Sequence, residues 1–212
     1  MKRVVLIAGV AAGALGWFNA SAHSPASETR YIYYLHGKIV EDLGPRGVSS
    51  RFGPYDYPGI VAALSAGGVE VISEVRPRDT DPSAYADTVV ADIRRKIAAG
   101  VAPSRITVAG ASKGSLIAAL VSTRLRVGGV HYVLMAGCND WLIQTFHPRL
   151  SGAILSIYEA SDDIGGSCKP LVRQSPAVRR FKEIRLSTGL GHGIVYRPLP
   201  AWVRPTIAWA KS

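Results

Sequence analysis

The chain reads Ile106-Thr107-Val108-Ala109-Gly110-Ala111-Ser112-Lys113-Gly114 where an apolar run meets a glycine-rich turn. The apolar run is typical of a buried β-strand, and Leu116–Leu120 continues as a helical pattern. Glycines two positions either side of Ser112 remove the side chains that would collide where strand and helix pass closely. In this context a G-x-S-x-G pattern is typical of a nucleophile elbow, the sharp turn that exposes a serine hydroxyl. An ordinary glycine-rich turn without chemistry is the alternative.

Short apolar runs alternate with helical patterns on both sides of this segment. The predicted strands are Tyr31–Leu35, Val69–Val75, Arg105–Ala109, Val130–Ala136, Ala153–Tyr158 and Glu183–Leu186. The predicted helices are Tyr57–Ala66, Ser83–Ala99, Lys113–Leu125, Trp141–Phe146 and Ala201–Ala210. The alternation predicts right-handed crossovers and a parallel sheet, and the nearly continuous apolar strands are expected when helices cover both faces. The predicted fold class is α/β: a three-layer sandwich with a mostly parallel sheet of about six strands.

The N-terminal segment has the pattern of a secretory signal peptide. Lys2-Arg3 precedes an apolar stretch from Val4 to about Phe18, followed by the small-residue site Ala20-Ser21-Ala22. A membrane anchor is the alternative, but the stretch is shorter than the roughly 20 residues that a span needs. We therefore expect residues 1–22 to be removed, no membrane span to remain, and residues 23–212 to form one periplasmic or secreted domain.

Length and charge limit the classes of protein that fit. The 190 residues left when 22 are removed from 212 suit one domain with a sizeable core. Loss of two cations with the signal peptide lowers the net charge from +10 to +8. Such a charge could favour anionic partners, such as acidic lipids or polysaccharides, or it could reflect scattered surface cations. The sequence contains no dense basic block interleaved with aromatic residues, so it does not predict a nucleic-acid partner. Nothing in the sequence indicates an oligomeric state.

A serine hydroxyl needs a base within hydrogen-bonding reach, and the sequence offers a candidate. His192 follows a predicted strand within a Gly-Leu-Gly-His-Gly turn that can carry the imidazole toward Ser112; a loop histidine without chemistry is the alternative. An imidazole in this role needs a carboxylate to fix its tautomer. Asp162, after a predicted strand, is preferred; Asp163 comes second and Asp140 third. Ordinary turn chemistry is the alternative role for the two adjacent aspartates.

An oxyanion hole requires two backbone N–H groups aimed at the developing charge. The amide of Lys113, directly after the candidate nucleophile, is expected to be one of them. The second is expected from the loop after the first strand, where Lys38 is the preferred donor and Ile39 its rival. His36 in this loop is expected to be a structural residue rather than a base.

These motifs, taken together, resemble those of small, cap-less secreted serine hydrolases of the alpha/beta-hydrolase superfamily. The resemblance rests on the His36-Gly37 loop, the elbow around Ser112, Asp162 after a strand, and Gly191-His192-Gly193 late in the chain. The order nucleophile, acid, histidine is that of the superfamily. The resemblance implies a minimal fold in which the first strands of larger members are missing. Lys113 is an unusual cation beside the nucleophile.

The chain has two cysteines, Cys138 and Cys168. In an oxidising compartment an even pair indicates a disulfide; two free thiols are the alternative, and a metal site is disfavoured because neither cysteine lies in a C-x-x-C pair. In the strand order that the resemblance implies, the two strands before these cysteines are neighbours. A disulfide there would brace the loop that carries Asp162.

The resemblance implies a serine hydrolase that forms an acyl-enzyme on Ser112 with His192 as base and Asp162 as its carboxylate partner. The expected substrate is a small-molecule carboxylic ester; thioesters, amides and peptides are alternatives. The expected chemistry requires no metal or organic cofactor. A non-catalytic secreted binding protein that keeps the scaffold is the rival hypothesis, since a fold does not fix a function.

Overall fold

The computed structural model describes residues 28–212. The predicted signal peptide, residues 1–22, lies outside this range, as do the first five residues of the predicted domain. The strands are β1 (Tyr31–Leu35), β2 (Val48–Ser49), β3 (Gly53–Pro54), β4 (Glu70–Ile72), β5 (Ile106–Ala111), β6 (His131–Met135), β7 (Ser151–Glu159) and β8 (Ala177–Leu186). The helices are α1 (Lys38–Leu43), α2 (Tyr57–Ser65), α3 (Pro82–Ala98), α4 (Lys113–Leu125), α5 (Asp140–Phe146), α6 (Lys169–Arg173) and α7 (Pro200–Ala210). Two 3₁₀ turns cover Pro103–Arg105 and Gly191–Val195.

Six strands form the main sheet in the order β4-β1-β5-β6-β7-β8, and every neighbouring pair is parallel. The remaining two strands, β2 and β3, form a small antiparallel hairpin. The predicted α/β class and the six-stranded parallel sheet are therefore confirmed.

Alternate residues of the strands face two separate apolar cores, as the two-residue period of a strand requires. On one face, β-strand residues such as Val108 pack with α3, α4, α5 and α6. On the other face, residues such as Ala109 pack with α1, α2 and α7. The sheet is thus covered on both sides, which explains why its central strands are apolar throughout. None of the helices in residues 28–212 is both long and apolar enough to cross a bilayer.

The strand order reverses between β1 and β5. From β1 the chain moves outward to β4 and then returns past β1 to form β5, so that β4 and β5 flank β1 on opposite sides. In open α/β sheets, ligands bind outside the carboxyl ends of the strands at such a switch point. Gly37 follows β1 and Ser112 follows β5, so the topology brings the two predicted loops to this place.

The structure corrects several predicted boundaries. The second predicted strand, Val69–Val75, is shortened to Glu70–Ile72 at the sheet edge, and the last one begins at Ala177 instead of Glu183. The last strand is also an edge strand with several exposed charged residues, so it lacks the apolar signal on which the prediction relied. The short helices α1 and α6 and the β2–β3 hairpin were not predicted, because each is too short to show a hydrophobic period.

Candidate active site

Ser112 lies between the last residue of β5 and the first residue of α4, with φ 55° and ψ −119°. Such a positive φ costs a non-glycine residue about 1–3 kcal/mol and is retained only where the surroundings fix it. A Cβ atom on Gly110 would lie 2.0 Å from the Gly114 carbonyl oxygen, and one on Gly114 would lie 1.8 Å from the Leu35 oxygen. Glycine is therefore required at both positions, and the turn holds the Ser112 side chain above the carboxyl edge of the sheet.

His192 bridges Ser112 and Asp162. Its Nε2 atom lies 2.8 Å from Ser112 Oγ, and its Nδ1 atom lies 2.9 Å from Asp162 Oδ2. The imidazole is buried in the 3₁₀ turn after β8. When Nδ1–H donates to the carboxylate, Nε2 is left free to accept the serine proton. The geometry brings together three side chains from separate parts of the sequence.

The structure distinguishes between the candidate carboxylates. Asp162 has a fully buried side chain, and its Oδ1 atom accepts a hydrogen bond from the Ile164 amide at 2.8 Å. Asp163 is 59% exposed and forms an ion pair with Arg51 at 2.7 Å. The hydrogen bond from Arg51 lowers the pKa of Asp163 below its ordinary value. Of the three aspartates considered, Asp162 is the one within hydrogen-bonding distance of His192; Asp140 begins α5.

Glu159, at the end of β7, connects the loop that carries Asp162 (the acid loop) to the loop that carries His192, a role that was not predicted from the sequence. Its carboxylate accepts hydrogen bonds from the Thr188 amide and hydroxyl at 2.8 and 2.9 Å and from the Ser161 hydroxyl at 3.3 Å. Burial opposes ionisation, but the hydrogen bonds from Thr188 and its neighbours prevail and lower the pKa of Glu159. The sequence did contain a signal for this role, because Glu159 is the last and only charged residue of β7.

The β2–β3 hairpin reaches across the site to His192. The Phe52 ring lies against the imidazole, with 5.8 Å between ring centroids, and Arg51 supplies the ion pair to Asp163. Gly193 lies beneath the hairpin, because a Cβ atom there would be 3.4 Å from Phe52 Cβ. The hairpin therefore restricts access to the histidine from one side.

The turn between β1 and α1 passes directly beside Ser112. A Cβ atom on Gly37 would lie 3.4 Å from Ser112 Cβ. Lys38 and Lys113 are the first residues of α1 and α4, so their amides have no acceptor within their own helices. Both residues border a cavity together with Ser112. Two helix starts thus converge on the serine.

Four residues form a buried charge cluster behind this turn: His36, Glu41, Arg76 and Lys113. Lys113 Nζ donates to Glu41 Oε2 and to the Thr80 carbonyl, both at 2.6 Å. The other carboxylate oxygen, Glu41 Oε1, accepts from Arg76 Nε at 2.8 Å, and both of these side chains are fully buried. Arg76 also donates to the His36 carbonyl. Through its contact with Glu41, the Lys113 side chain, for which the sequence suggested no role, joins the turn at Ser112 to α1.

His36 is held as a neutral imidazole in this cluster. Its Nε2 atom accepts a hydrogen bond from the Arg76 amide at 3.0 Å, which leaves Nδ1 to carry the proton, 2.9 Å from the Gly37 carbonyl. Burial, with the charge of Arg76, lowers the pKa of His36 to about 4. These contacts suit the structural role expected of His36.

Cys138 and Cys168 form a disulfide that joins the loop after β6 to the end of the acid loop. Two further contacts run beside it. The Gly166 amide donates to the Cys138 carbonyl at 2.8 Å, and the Asn139 side-chain amide donates to the Ile164 carbonyl at 2.9 Å. The segment that carries Asp162 is therefore fixed to its neighbour covalently and by hydrogen bonds.

Two cavities open beside Ser112. The wide cavity has a volume of about 510 Å³ and is walled mainly by Leu116, Trp141, Leu142, Phe146 and Ile164. The narrow cavity has a volume of about 110 Å³ and is walled mainly by Ile39, Tyr55, His192, Val195 and Tyr196. Within residues 28–212, no group of three or more His, Cys, Asp or Glu side chains is arranged to hold a metal ion.

No protein-family profile and no curated protein sequence matches this chain. Its backbone is similar to that of solved structures. SOBER1 from Arabidopsis thaliana is 16% identical with a TM-score of 0.56, over 86% of this chain and 98% of SOBER1. The ydeN gene product of B. subtilis is 14% identical with a TM-score of 0.56, over 87% of this chain and 100% of that protein.

A third similar structure is that of an arylesterase. It is 12% identical to this chain with a TM-score of 0.59, and the match covers 87% of this chain and 75% of the arylesterase. The TM-scores of these three structures establish a common backbone arrangement, whereas identities this low leave the activity to be argued from the site. Together with the six-stranded parallel sheet and its two helical layers, they show that this chain has the alpha/beta-hydrolase fold.

Proposed function

We propose that the protein is a serine hydrolase that cleaves carboxylic esters through a covalent acyl-enzyme. The observation that carries this proposal is the continuous hydrogen-bonded series from Ser112 to His192 to Asp162, with separations of 2.8 and 2.9 Å. A nucleophile within reach of a base that is itself oriented by a third group is the signature of nucleophilic catalysis. The strained backbone at Ser112 supports the same interpretation, because strain concentrates at functional sites.

Acylation begins when Ser112 Oγ attacks the ester carbonyl carbon while His192 Nε2 takes the hydroxyl proton. The carboxylate of Asp162 stabilises the imidazolium that forms. The carbonyl oxygen becomes an oxyanion that accepts hydrogen bonds from the amides of Lys113 and Lys38, with the Ile39 amide as the alternative to Lys38. Loss of one such donor typically costs about 2.7–4 kcal/mol in the transition state.

The tetrahedral intermediate then breaks down toward the acyl-enzyme. The bond from carbon to the alcohol oxygen breaks, and His192 returns its proton to that oxygen, so that the alcohol leaves neutral. A water molecule next gives a proton to His192 and attacks the acyl carbon. The bond to Ser112 Oγ breaks, the serine recovers its proton, and the carboxylic acid departs. Every proton in this sequence passes through one imidazole.

The ester class and the compartment rest on further observations. One of the structurally similar proteins is an arylesterase, which favours esters ahead of amides or peptides. The Cys138–Cys168 disulfide supports an oxidising compartment, as in the periplasm or outside the cell. The signal peptide over residues 1–22 stays a prediction.

Labelling with a fluorophosphonate probe tests the proposal. We expect the wild-type protein to be labelled once, at Ser112, and the Ser112→Ala variant to be unlabelled and inactive on simple esters. Ser115 provides a matched control, because it is a buried serine in the first turn of α4, three residues after Ser112; Ser115→Ala should label like the wild type. An unlabelled wild type, or equal labelling of the Ser112→Ala variant, would favour the rival hypothesis of a binding protein.

A further inference from the structure

The two cavities at Ser112 differ in both size and chemistry. The wide cavity, about 510 Å³, is walled by aliphatic and aromatic side chains, whereas the narrow cavity, about 110 Å³, contains the His192 imidazole. Ser112 borders both of them, so an ester bound at this serine must place its acid part in one cavity and its alcohol part in the other. The position of His192, which protonates the leaving alcohol, decides which part of the ester enters which cavity.

The leaving alcohol must lie on the side of His192, because this imidazole protonates the departing oxygen. Among the described residues, His192 borders the narrow cavity and is not part of the wall of the wide one. Lys113, whose amide is assigned to the oxyanion, borders the wide cavity. The alcohol therefore enters the narrow cavity, and the acyl chain enters the wide one.

The wide cavity suits an uncharged, apolar acyl group. Trp141 and Ile164 at its border are large apolar side chains that remain 59% and 41% exposed, as expected of a surface that a ligand covers. The two lysines at its border are already paired: Lys113 Nζ with Glu41 and Lys38 Nζ with Asp42. The charge of each ammonium group is therefore already compensated by a neighbouring carboxylate.

The narrow cavity favours a small alcohol. Its volume, about 110 Å³, is about a fifth of the 510 Å³ of the wide cavity. The rings of Tyr55 and Tyr196 close one side at a centroid distance of 5.0 Å, and Tyr55 is buried, so this wall cannot retreat without disturbing the core. Such a space encloses an alcohol the size of methanol or ethanol, whereas a long or branched alcohol would extend beyond its walls.

We infer that the substrates are esters of a bulky apolar carboxylic acid, such as a medium-chain or arylalkyl acid, with an alcohol the size of methanol or ethanol. This inference rests on the proposed function and adds the orientation and size of the two halves of the ester.

Two isomeric esters test the inference without changing the overall hydrophobicity. Ethyl octanoate and octyl acetate share one molecular formula and exchange the long chain between acid and alcohol. We expect kcat/KM to be at least about tenfold higher for ethyl octanoate, because each methylene buried in an apolar cavity contributes about a fourfold gain. Equal rates, or a preference for octyl acetate, would overturn the inference while leaving the proposed hydrolase intact.

The same assay separates failure of the inference from failure of the proposed function. If neither ester is cleaved although the fluorophosphonate probe labels Ser112, the serine is reactive and the assignment of the acyl group is wrong. If Ser112 is also unlabelled, the proposed function fails and the inference fails with it.

Trp141→Ala locates the acyl group in the wide cavity. The side chain is largely exposed, so its truncation leaves the core intact, and we expect the ratio of kcat/KM for ethyl octanoate to kcat/KM for ethyl acetate to fall about three- to tenfold. Val48→Ala, which truncates an exposed apolar side chain outside both cavities, is the control and should change neither rate. An equal fall on both esters in Trp141→Ala would contradict the assignment.

Discussion

Two loops of the candidate site, the one after β1 and the one that carries Asp162, are held in place by different kinds of interaction. The turn between β1 and α1, which contains Gly37 and is called the Gly37 loop below, is supported by the buried charge cluster, in which Glu41 joins Arg76 to Lys113. The loop that carries Asp162 is held by a disulfide and a backbone hydrogen bond to Cys138. Charges taken out of water must remain paired, so the first loop depends on every member of its cluster. The second loop has a covalent tie that acts mainly by restricting the unfolded chain.

Glu41→Ala is expected to have the largest effect, because it leaves the buried Arg76 and the partly buried Lys113 without their shared carboxylate. Removing one partner of a buried ion pair costs about 3–5 kcal/mol. Asp42 is the matched control: it is the next residue on α1 and forms an ion pair with Lys38 that is partly exposed to solvent. Asp42→Ala should cost about 1 kcal/mol or less.

Urea unfolding of the two variants measures this difference directly. A loss of stability in Glu41→Ala no larger than that in Asp42→Ala would show that the cluster is not what holds the Gly37 loop.

Removal of the disulfide is expected to have the next largest effect. Cys138 and Cys168 are 30 residues apart, and a loop of this length contributes about 3–4 kcal/mol in the chain-entropy account. The double variant Cys138→Ser, Cys168→Ser should lose this amount in urea unfolding. Reductant should destabilise the wild type to the same extent and leave the double variant unchanged. A loss below about 1 kcal/mol would show that the hydrogen bonds alone fix the acid loop.

As the pH falls, the protein should lose the stability that depends on His36, next to Gly37, before it loses the stability that depends on the groups around the Asp162 loop. The pKa of His36 is about 4 in the folded protein against an ordinary value of 6.5, so between these values the unfolded chain binds a proton that the folded protein does not. Stability therefore falls as the pH falls from about 6.5 to about 4, by on the order of 3 kcal/mol. His131, whose pKa burial also lowers, adds to the fall in the same direction.

The carboxylates around the Asp162 loop lose their contribution to stability at lower pH. The pKa values of Glu159 and Asp163 lie below their ordinary values of 4.5 and 3.8, so the stability they contribute is lost only as the pH falls further. His36→Gln should flatten the slope of unfolding free energy between pH 6.5 and 4. An unchanged slope in this variant would assign the acid sensitivity elsewhere.

The sequence was sufficient to predict the central sheet, because β5, β6 and β7 are buried and their apolar runs are unmistakable. It was insufficient at β8, where one edge is unpaired and charged side chains interrupt the apolar pattern. It was also insufficient at α1, which is six residues long and too short for a helical period.

The candidate site also contains some features that the sequence was sufficient to predict and others that it was not. Ser112 and His192 lie in glycine-rich turns with a local signal, and the predicted contact between them is present in the structure. The choice between Asp162 and Asp163 has no local signal, because adjacent carboxylates differ only in the direction that the turn gives each side chain. The pairing of Glu41 with Arg76 joins residues 35 positions apart and depends wholly on the fold.

The most direct test of the proposed mechanism compares the rates at which the fluorophosphonate probe labels Asp162→Asn and Asp163→Asn. These substitutions remove one negative charge each from neighbouring residues, but only Asp162 contacts His192. If Asp162 orients the base, Asp162→Asn should label Ser112 slower by roughly 10³- to 10⁴-fold, and Asp163→Asn should stay within about threefold of the wild type. Equal rates for the two variants would contradict the assignment of Ser112, His192 and Asp162 as one catalytic unit.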